Sequence, residues 1–296
     1  MKAVIPAAGL GVRFLPYTKA QPKEMLPVLD KPAIQFVVEE ALRSGIRDVL
    51  IITGRGKRAI EDHFDANLEL ERYLLERGMT DVVRELRRQL EGARIAYVRQ
   101  PRPLGNGHAV LCAETGVEGE SFAVLLGDDV LLSRVPCTQS LVEHHAKLGA
   151  SCIAVQRVPR SQVPAYGMVL GEEVEDGVFQ VRRIVEKPPR SRVTSDLVTI
   201  GRYVFSPQIL DHLRKAKPGR GGEIWLTDGI RSMLRSEDVY AWRFEGRRFD
   251  IGTKLGWLLA NIELAWARPD YREQIQRLLR TIGGAKRRLP TRRESV

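Results

Sequence analysis

The opening segment of the chain, residues 2–27 (KAVIPAAGLGVRFLPYTKAQPKEMLP), constrains the possible folds more than any other. The apolar run 3–5 leads directly into a loop that contains Gly9 and Gly11. This pattern predicts a strand followed by a glycine turn, in which bare backbone N–H groups can face an anion. Cations follow in the same segment at Arg13, Lys19 and Lys23. The segment therefore indicates a loop that binds a chain of phosphates.

The spacing of the glycines excludes two common phosphate-binding motifs. The segment reads G-x-G-x-R rather than G-x-G-x-x-G, and it contains no G-x-x-x-x-G-K-[ST] sequence. Because glycine turns occur in many folds, residues further along the chain have to identify the ligand.

The composition is that of a globular protein. The chain has 296 residues, 43% hydrophobic and 28% charged, which is enough to bury a sizeable core. It has no apolar run of 18 residues, so we predict no membrane span. The immediate start of a strand leaves no room for a signal peptide, and the three cysteines lack metal-ligand spacing. These features predict a cytoplasmic protein with reduced thiols.

The net charge of +10 is concentrated in part at the C-terminal end, where residues 285–296 carry five Arg and Lys and one Glu. The remaining positive charge suits small anionic substrates as well as nucleic acid. The sequence contains no nucleic-acid recognition motif, so we expect no nucleic-acid partner. Residues 281–296 are predicted to be a basic, disordered tail.

Alternating apolar patterns predict an α/β fold. A helix over 31–44, capped by Asp30, precedes a buried strand over 48–53, as in a βαβ unit. Residues 67–91 predict two surface helices broken at Gly78. Further strands are predicted at 94–99, 121–126, 151–158, 178–186, 198–205 and 239–245, and further helices from Ser206 and at 224–235, 253–267 and 270–280. The dense strands after residue 150 indicate antiparallel additions, and hence a mixed sheet.

Polar residues follow several of these strands. In open α/β sheets ligands bind beyond the carboxyl ends of the strands, so these positions are the first candidates for a site. They are Gln100 with Gly105, the pair 128–129, the segment 186–188, and Asp250 in a predicted turn. An isolated aspartate in a turn more often stabilises the turn itself.

Taken together, these segments resemble the bacterial UTP–glucose-1-phosphate uridylyltransferases. Besides the opening segment, the motifs that carry the resemblance are TGRGKRAIEDHFD (53–65), QPRPLGNGHAVLCA (100–113), AYGMV (165–169), VEKP (185–188), GRYVFSP (201–207), GGEIWLTD (221–228) and FEGRRFDIG (244–252). They occur in order from residue 2 to about 270. The resemblance implies a Rossmann-like, three-layer nucleotidyltransferase fold with a mixed, mostly parallel sheet.

The resemblance also implies a domain plan and a reaction. Residues 1–280 would form one domain, with a nucleotide-binding half over about 1–135, a sugar-binding half over about 136–255 and C-terminal helices over about 253–280. The reaction would join UTP and glucose 1-phosphate into UDP-glucose and pyrophosphate with Mg²⁺. It implies a homo-oligomer, either a dimer or a tetramer, and no membrane partner.

The resemblance assigns roles to individual residues. Nucleotide binding falls to Ala7, Ala8, Gly9, Gly11, Glu24, Gln100 and Gly105. Binding of the sugar phosphate falls to Gly167, Glu186, Lys187, Gly222 and Glu223. Arg13, Lys23 and Lys187 are assigned to catalysis, and Asp128 and Asp250 to the metal. Positioning and electrostatic stabilisation would supply most of the catalysis, because two anions must meet and charge develops on the leaving pyrophosphate.

Three positions depart from the usual family pattern. Val12 replaces a threonine beside the phosphates, Gly127 replaces a proline before the metal aspartate, and Asp196 replaces an asparagine near the sugar. The alternatives left open are a thymidylyltransferase, an enzyme for another hexose 1-phosphate, and a non-catalytic regulatory paralogue. His108 is interpreted as structural, and the four tryptophans, Trp225 among them, as core or oligomer contacts.

Overall fold

The computed structural model describes residues 1–88 and 91–284. The strands are β1 (Lys2–Pro6), β2 (Pro27–Val28), β3 (Lys31–Pro32), β4 (Asp48–Thr53), β5 (Arg94–Arg99), β6 (Phe122–Leu125), β7 (Asp129–Leu132), β8 (Ser151–Arg157), β9 (Gly167–Glu175), β10 (Val178–Glu186), β11 (Leu197–Phe205), β12 (Val239–Arg243) and β13 (Arg247–Asp250). The helices are α1 (Ala33–Arg43), α2 (Arg58–Phe64), α3 (Leu68–Glu76), α4 (Thr80–Arg88), α5 (Asn106–Leu111), α6 (Glu114–Val117), α7 (Cys137–Leu148), α8 (Ile209–Lys215), α9 (Leu226–Met233), α10 (Lys254–Ala267) and α11 (Pro269–Gly284).

A nine-stranded sheet forms the centre of the fold, in the order β5-β4-β1-β6-β11-β8-β12-β10-β9. In this order β5, β4, β1 and β6 are parallel neighbours, as are β8 and β12. Strand β11 is antiparallel to β6 and β8, and β10 is antiparallel to β12 and β9. The predicted mixed α/β fold is confirmed. However, only four of the eight neighbouring pairs among the described residues are parallel, so the expectation of a mostly parallel sheet is wrong.

The apolar runs account for the centre of the sheet. The side chains of 3–5 and of Ile51 and Ile52 are fully buried, and β1 and β4 pair in parallel around α1, as the βαβ prediction required. Burial of such strands on both faces removes several large side chains from water and is the main favourable contribution to folding.

One predicted helix cap and one predicted helix start are wrong. Helix α1 begins at Ala33, and the residue before it is Pro32, so no side chain caps this helix. Asp30 instead accepts a hydrogen bond from the Arg268 Nη2 atom at 2.6 Å. A charged guanidinium group competes well for a carboxylate that stands one turn outside the helix. Helix α8 begins at Ile209 rather than at Ser206, whose hydroxyl lies 3.2 Å from Glu237 Oε2.

The sequence missed the strands that bring distant segments together. Strands β7 and β13 form a separate two-stranded sheet in which Asp129 pairs with Asp250. Strand β9 pairs with β11 at Met168 and Val198, so the β9–β10 hairpin folds back over the middle of the large sheet. Strands β7, β9 and β13 each begin or end at a glycine or aspartate, and these residues are typical of turns.

The helical excursion and the C-terminal helices largely follow the sequence. Gly78, with φ +72°, separates α3 from α4. Helix α11 continues to Gly284, so residues 281–284 of the predicted tail are helical, whereas 285–296 lie outside the described residues. No helix in the described part of the chain is long and apolar enough to cross a membrane.

A buried ion pair joins the helical layer to the sheet. Arg202, on β11, is fully buried, and its Nε and Nη2 atoms donate to Glu40 Oε2 on α1 at 3.0 and 2.8 Å. The other oxygen of Glu40 accepts hydrogen bonds from the N–H and hydroxyl of Thr138 at the start of α7. Arg202 also donates to the backbone oxygen of Asp129 at 2.7 Å.

We expect the Arg202→Met substitution to lower the free energy of unfolding by about 3–5 kcal/mol, because it leaves the buried Glu40 carboxylate without a cation. Chemical denaturation measures this loss. The matched control is Arg72→Met, which breaks the exposed i,i+4 pair with Glu76 and should change stability little. Equal losses of unfolding free energy in the two variants would contradict the prediction that an unpaired Glu40 carboxylate is costly.

Candidate active site

A cavity of about 510 Å³ opens where the loops after β1, β5 and β6 meet the β9–β10 hairpin. Its volume lies in the range of small-molecule sites. Of the residues predicted for the site, those that line it are Ala8, Gly9, Gly11, Arg13, Lys23, Glu24, Gln100, Gly105, Asp128, Gly167, Glu186, Lys187, Glu223 and Asp250. Most of the residues predicted for the site therefore line this one cavity.

The opening loop is held in place by a lysine that the sequence analysis missed. Lys57, after β4, is buried, and its Nζ donates to the Gly9 carbonyl and to Glu24 Oε2, each at 2.7 Å. Gly11 has φ +68°, a left-handed conformation that favours glycine, and its carbonyl accepts a hydrogen bond from Thr18 at 2.7 Å. The signal for Lys57 was its place after a buried strand, within the segment TGRGK.

Lys23 and Asp128 form an ion pair at the mouth of this loop. Lys23 Nζ donates to Asp128 Oδ2, and it lies 3.9 Å from Glu24 Oε1. Burial would raise the pKa of Asp128, but the adjacent Lys23 charge and hydrogen bond lower it below its usual value. Burial has the opposite effect on a lysine and would lower the pKa of Lys23, but the surrounding carboxylates raise this pKa above its usual value. Both groups are therefore charged near neutral pH.

Gly252 separates the carboxylates of Asp128 and Asp250. A Cβ atom at Gly252 would lie 2.8 Å from Asp128 Oδ2 and 3.0 Å from Asp250 Oδ1, so the space between the two carboxylates depends on the absence of a side chain. Asp250 is oriented by Tyr166, whose hydroxyl donates to Oδ2 at 3.2 Å. No group of three or more His, Cys, Asp and Glu suited to a metal was found in residues 1–88 and 91–284. Two carboxylates with an open space fit a cation that takes its other ligands from substrate phosphates.

Arg248 is a second missed residue. Its Nε donates to Asp129 Oδ1 at 2.8 Å, and its guanidinium carbon lies 4.4 Å from the centre of the Tyr166 ring. Burial raises the pKa of Asp129 to about 6. The negative charges of Asp250 and Asp128 also raise it, whereas the positive charge of Arg248 lowers it. Arg248 thus supports both the carboxylate beside it and the ring that orients Asp250.

The loop after β5 needs glycine for close packing. A Cβ at Gly105, where φ is +97°, would lie 2.5 Å from the Ile224 carbonyl oxygen, so glycine permits the close approach of two loops. The Gln100 side-chain nitrogen donates to the Gly105 carbonyl at 3.0 Å and contacts His108 Nδ1 at 2.9 Å. This contact supports the structural interpretation of His108.

At the other end of the cavity, Glu186 and Lys187 meet α9. Glu186 Oε2 accepts a hydrogen bond from Thr227 at 3.0 Å, and burial raises the pKa of Glu186 despite the Lys187 charge. A Cβ at Gly167 would lie 2.9 Å from the Thr199 hydroxyl, so glycine lets the β9–β10 hairpin approach β11. Trp225 lines the cavity beneath Lys187, so its interpretation as a core or oligomer contact is wrong.

Some predicted site residues do not line the cavity. Ala7 is buried in the core, and its N–H donates to the Ile52 carbonyl at 2.9 Å, because it continues the parallel pairing of β1. Gly222 is exposed in a turn and does not line the cavity, because the chain reaches the cavity wall only from Glu223 onward. Asp196 accepts a hydrogen bond from Arg157 at 2.6 Å away from the cavity, whereas Val12 lines it.

We expect Lys57→Met to lower the free energy of unfolding by about 3–5 kcal/mol, because the buried Glu24 carboxylate loses its nearest cation. Denaturant titration measures the loss, and limited proteolysis detects loosening of the loop over 9–20. Lys31→Met, which removes a partly exposed pair with Glu39, is the control. An opening loop equally resistant to protease in both variants would contradict this role.

Comparison with known proteins identifies the family. The family model "Nucleotidyl transferase" matches residues 2–265. A Bacillus subtilis (strain 168) UTP–glucose-1-phosphate uridylyltransferase is 47% identical over 274 residues, covering 93% of this chain and 94% of that protein.

Solved structures agree. A UDP-glucose pyrophosphorylase complexed with UDP-glucose is 38% identical, with a TM-score of 0.83 over 90% of this chain and 99% of that one. A UTP-bound enzyme of the same kind from Acinetobacter baumannii is 37% identical, with a TM-score of 0.85 over 94% of this chain and 98% of its own. The chain belongs to the nucleotidyl transferase family, among the bacterial UTP–glucose-1-phosphate uridylyltransferases.

Proposed function

We propose that this protein joins UTP and glucose 1-phosphate to give UDP-glucose and pyrophosphate. The observation that carries the proposal is a single cavity with a glycine loop and the Lys23–Asp128 pair in one wall and Glu186 with Lys187 in another. The first wall suits a triphosphate, and the second suits a phosphorylated sugar. The relatives whose names state this reaction match almost the whole chain.

At the nucleotide end, we propose that the backbone of Ala8, Gly9 and Gly11 binds the phosphates, with Gln100 and Glu24 nearer the nucleoside. Arg13 is exposed, and both Arg13 and Lys23 line the cavity, so both can neutralise the triphosphate and the leaving pyrophosphate. Fixed donors and cations of this kind stabilise charge that develops in the transition state.

Enzymes of the family generally use a divalent metal ion. We propose Mg²⁺, held by Asp128 and Asp250 across the space kept by Gly252. When bound, the ion would neutralise charge on the phosphate oxygens of the substrate. Carboxylate oxygens in small number, completed by phosphate and water, are the ligands that Mg²⁺ prefers.

At the sugar end, we propose that Glu186 and Glu223 accept hydrogen bonds from sugar hydroxyls and that Lys187 meets the phosphate. Thr227 donates to one oxygen of Glu186, which leaves the other for a ligand hydroxyl or for Lys187 Nζ at 3.7 Å. Lys187 thereby draws the nucleophilic phosphate toward the triphosphate, where it attacks the α-phosphorus and pyrophosphate leaves.

We further propose a homo-oligomer, a dimer or a tetramer. Support comes from α10 and α11, which expose large apolar side chains at Leu255, Leu258, Leu259, Ile262, Leu278, Leu279 and Ile282. Several exposed large apolar side chains on neighbouring helices are typical of a protein interface. The predicted cytoplasmic location stays a prediction.

The reaction predicts pyrophosphate release that requires both UTP and glucose 1-phosphate with Mg²⁺ present. The assay compares UTP with dTTP and glucose 1-phosphate with three other hexose 1-phosphates. We expect the highest kcat/KM with UTP and glucose 1-phosphate. Preference for dTTP or for another sugar would assign a different specificity, and no turnover by folded protein would favour the regulatory alternative.

The metal assignment predicts that Asp128→Asn and Asp250→Asn each lower kcat by at least about 100-fold while the protein stays folded, because metal-supplied charge stabilisation is worth several kcal/mol. Kinetics at varied Mg²⁺ and melting by circular dichroism measure the two effects. Asp196→Asn, at an exposed carboxylate paired with Arg157, is the control and should retain activity. Full activity in both site variants would refute the assignment.

A further inference from the structure

The ammonium group of Lys187 lies over an aromatic ring. Its Nζ atom is 3.9 Å from the centre of the Trp225 ring, and both side chains line the cavity. A cation over the face of an indole is attracted by the negative potential of the ring, and tryptophan is the strongest such partner. The Lys187 side chain is still 38% exposed, so it remains accessible to a ligand.

The backbone fixes both partners. Lys187 has φ +41°, a left-handed conformation that is unusual for a residue with a side chain, and its N–H donates to the Tyr166 carbonyl at 3.0 Å. The Trp225 N–H donates to Asp228 Oδ2 at 3.2 Å at the start of α9. A Cβ at Gly107 would lie 2.8 Å from the Trp225 carbonyl carbon, so this loop packs closely against α5. The contact therefore joins two fixed segments.

An aromatic partner differs from a carboxylate in its effect on charge. Glu186 Oε1 already pairs with Lys187 Nζ at 3.7 Å, and a second carboxylate there would offset the positive charge further. The Trp225 ring holds the ammonium group from another side without adding a negative charge, and Thr227 ties the second Glu186 oxygen. Lys187 thus keeps positive charge available for an anion.

On the basis of the function proposed above, we propose that Trp225 is a positioning residue that sets Lys187 for the phosphate of the sugar substrate. It acts through Lys187 and takes no part in the transfer itself. Its effect should therefore fall on glucose 1-phosphate and disappear when the ammonium group is removed.

A double-mutant cycle tests this coupling. We expect Trp225→Leu to raise the KM for glucose 1-phosphate about three- to tenfold, as for loss of a partly exposed cation–ring contact, and to leave the KM for UTP unchanged. Trp225→Phe, which keeps a weaker aromatic face, should give an intermediate value. In the Lys187→Met background, Trp225→Leu should add nothing.

The matched control is Trp242→Leu, which removes an indole on β12 that packs against His144 outside the cavity lining and should not change this KM. Circular dichroism verifies that each variant is folded. An equal rise in KM in both Lys187 backgrounds, or the same rise in the control, would overturn the inference and leave the proposed function intact. No turnover by the wild-type protein would overturn both.

The contact itself can be measured without turnover. In protein labelled at the lysine ε-carbon, the ring current of Trp225 should shift the Lys187 ε-proton resonance upfield, with the Lys187→Met variant giving the assignment. Trp225→Leu should return the resonance to the ordinary lysine position, and Trp225→Phe should retain part of the shift. An unshifted resonance in the wild-type protein would overturn the inference independently of the kinetics.

Discussion

The buried pair of Arg202 with Glu40 is the constraint on which the arrangement of the site depends. Arg202 lies on β11, which runs antiparallel to its neighbours β6 and β8. It donates hydrogen bonds to Glu40 on α1 and to the backbone oxygen of Asp129, and Glu40 in turn accepts a hydrogen bond from α7. Burying two charges is costly, and an ion pair of this kind adds little net stability over apolar side chains. Its consequence is geometric, because it fixes the chain next to Asp128 against the helical layer.

The same constraint explains why a sheet with mixed strand directions still forms one cavity. The loops after β1 and β6 reach the cavity in the way expected for parallel strands. Glu186 reaches it differently, because β10 runs antiparallel and the β9–β10 hairpin folds back onto β11 at Met168 and Val198. The reversed strand that carries Arg202 is therefore also the surface on which the sugar end of the cavity is built.

Much of this site could be predicted from the sequence, because the predicted residues occur in short motifs at strand ends. Gly9, Lys23, Asp128, Glu186 and Asp250 were identified in this way, and all line one cavity. Apolar runs also located most of the strands and helices. A motif predicts that a segment lies near the site, but it does not predict the position of every residue in the segment. Ala7 is buried in the core and Gly222 lies in an exposed turn, although both belong to such motifs.

The residues that the sequence missed depend on contacts across long stretches of chain. Arg248 binds Asp129, which is 119 positions earlier, and Tyr166 reaches Asp250 across 84 positions. Trp225 resembles a core residue until β10 brings Lys187 over its ring. Strands β7 and β13 have only four residues each, so no periodicity could identify the small sheet that aligns Asp129 with Asp250.

The ion pairs of the cavity differ in a way that separates support from binding. In the pairs of Lys57 with Glu24 and of Arg248 with Asp129, all four side chains are at most 8% exposed, so exchanging either partner would leave a buried charge alone. In the pairs of Lys23 with Asp128 and of Lys187 with Glu186, every side chain is at least 20% exposed. Water and an incoming phosphate can interact with these partly exposed lysines, so each lysine can exchange its carboxylate partner for a phosphate at a low cost in free energy. The buried pairs therefore hold the loop and the carboxylates in place, and the open pairs supply the cations that a phosphate can recruit.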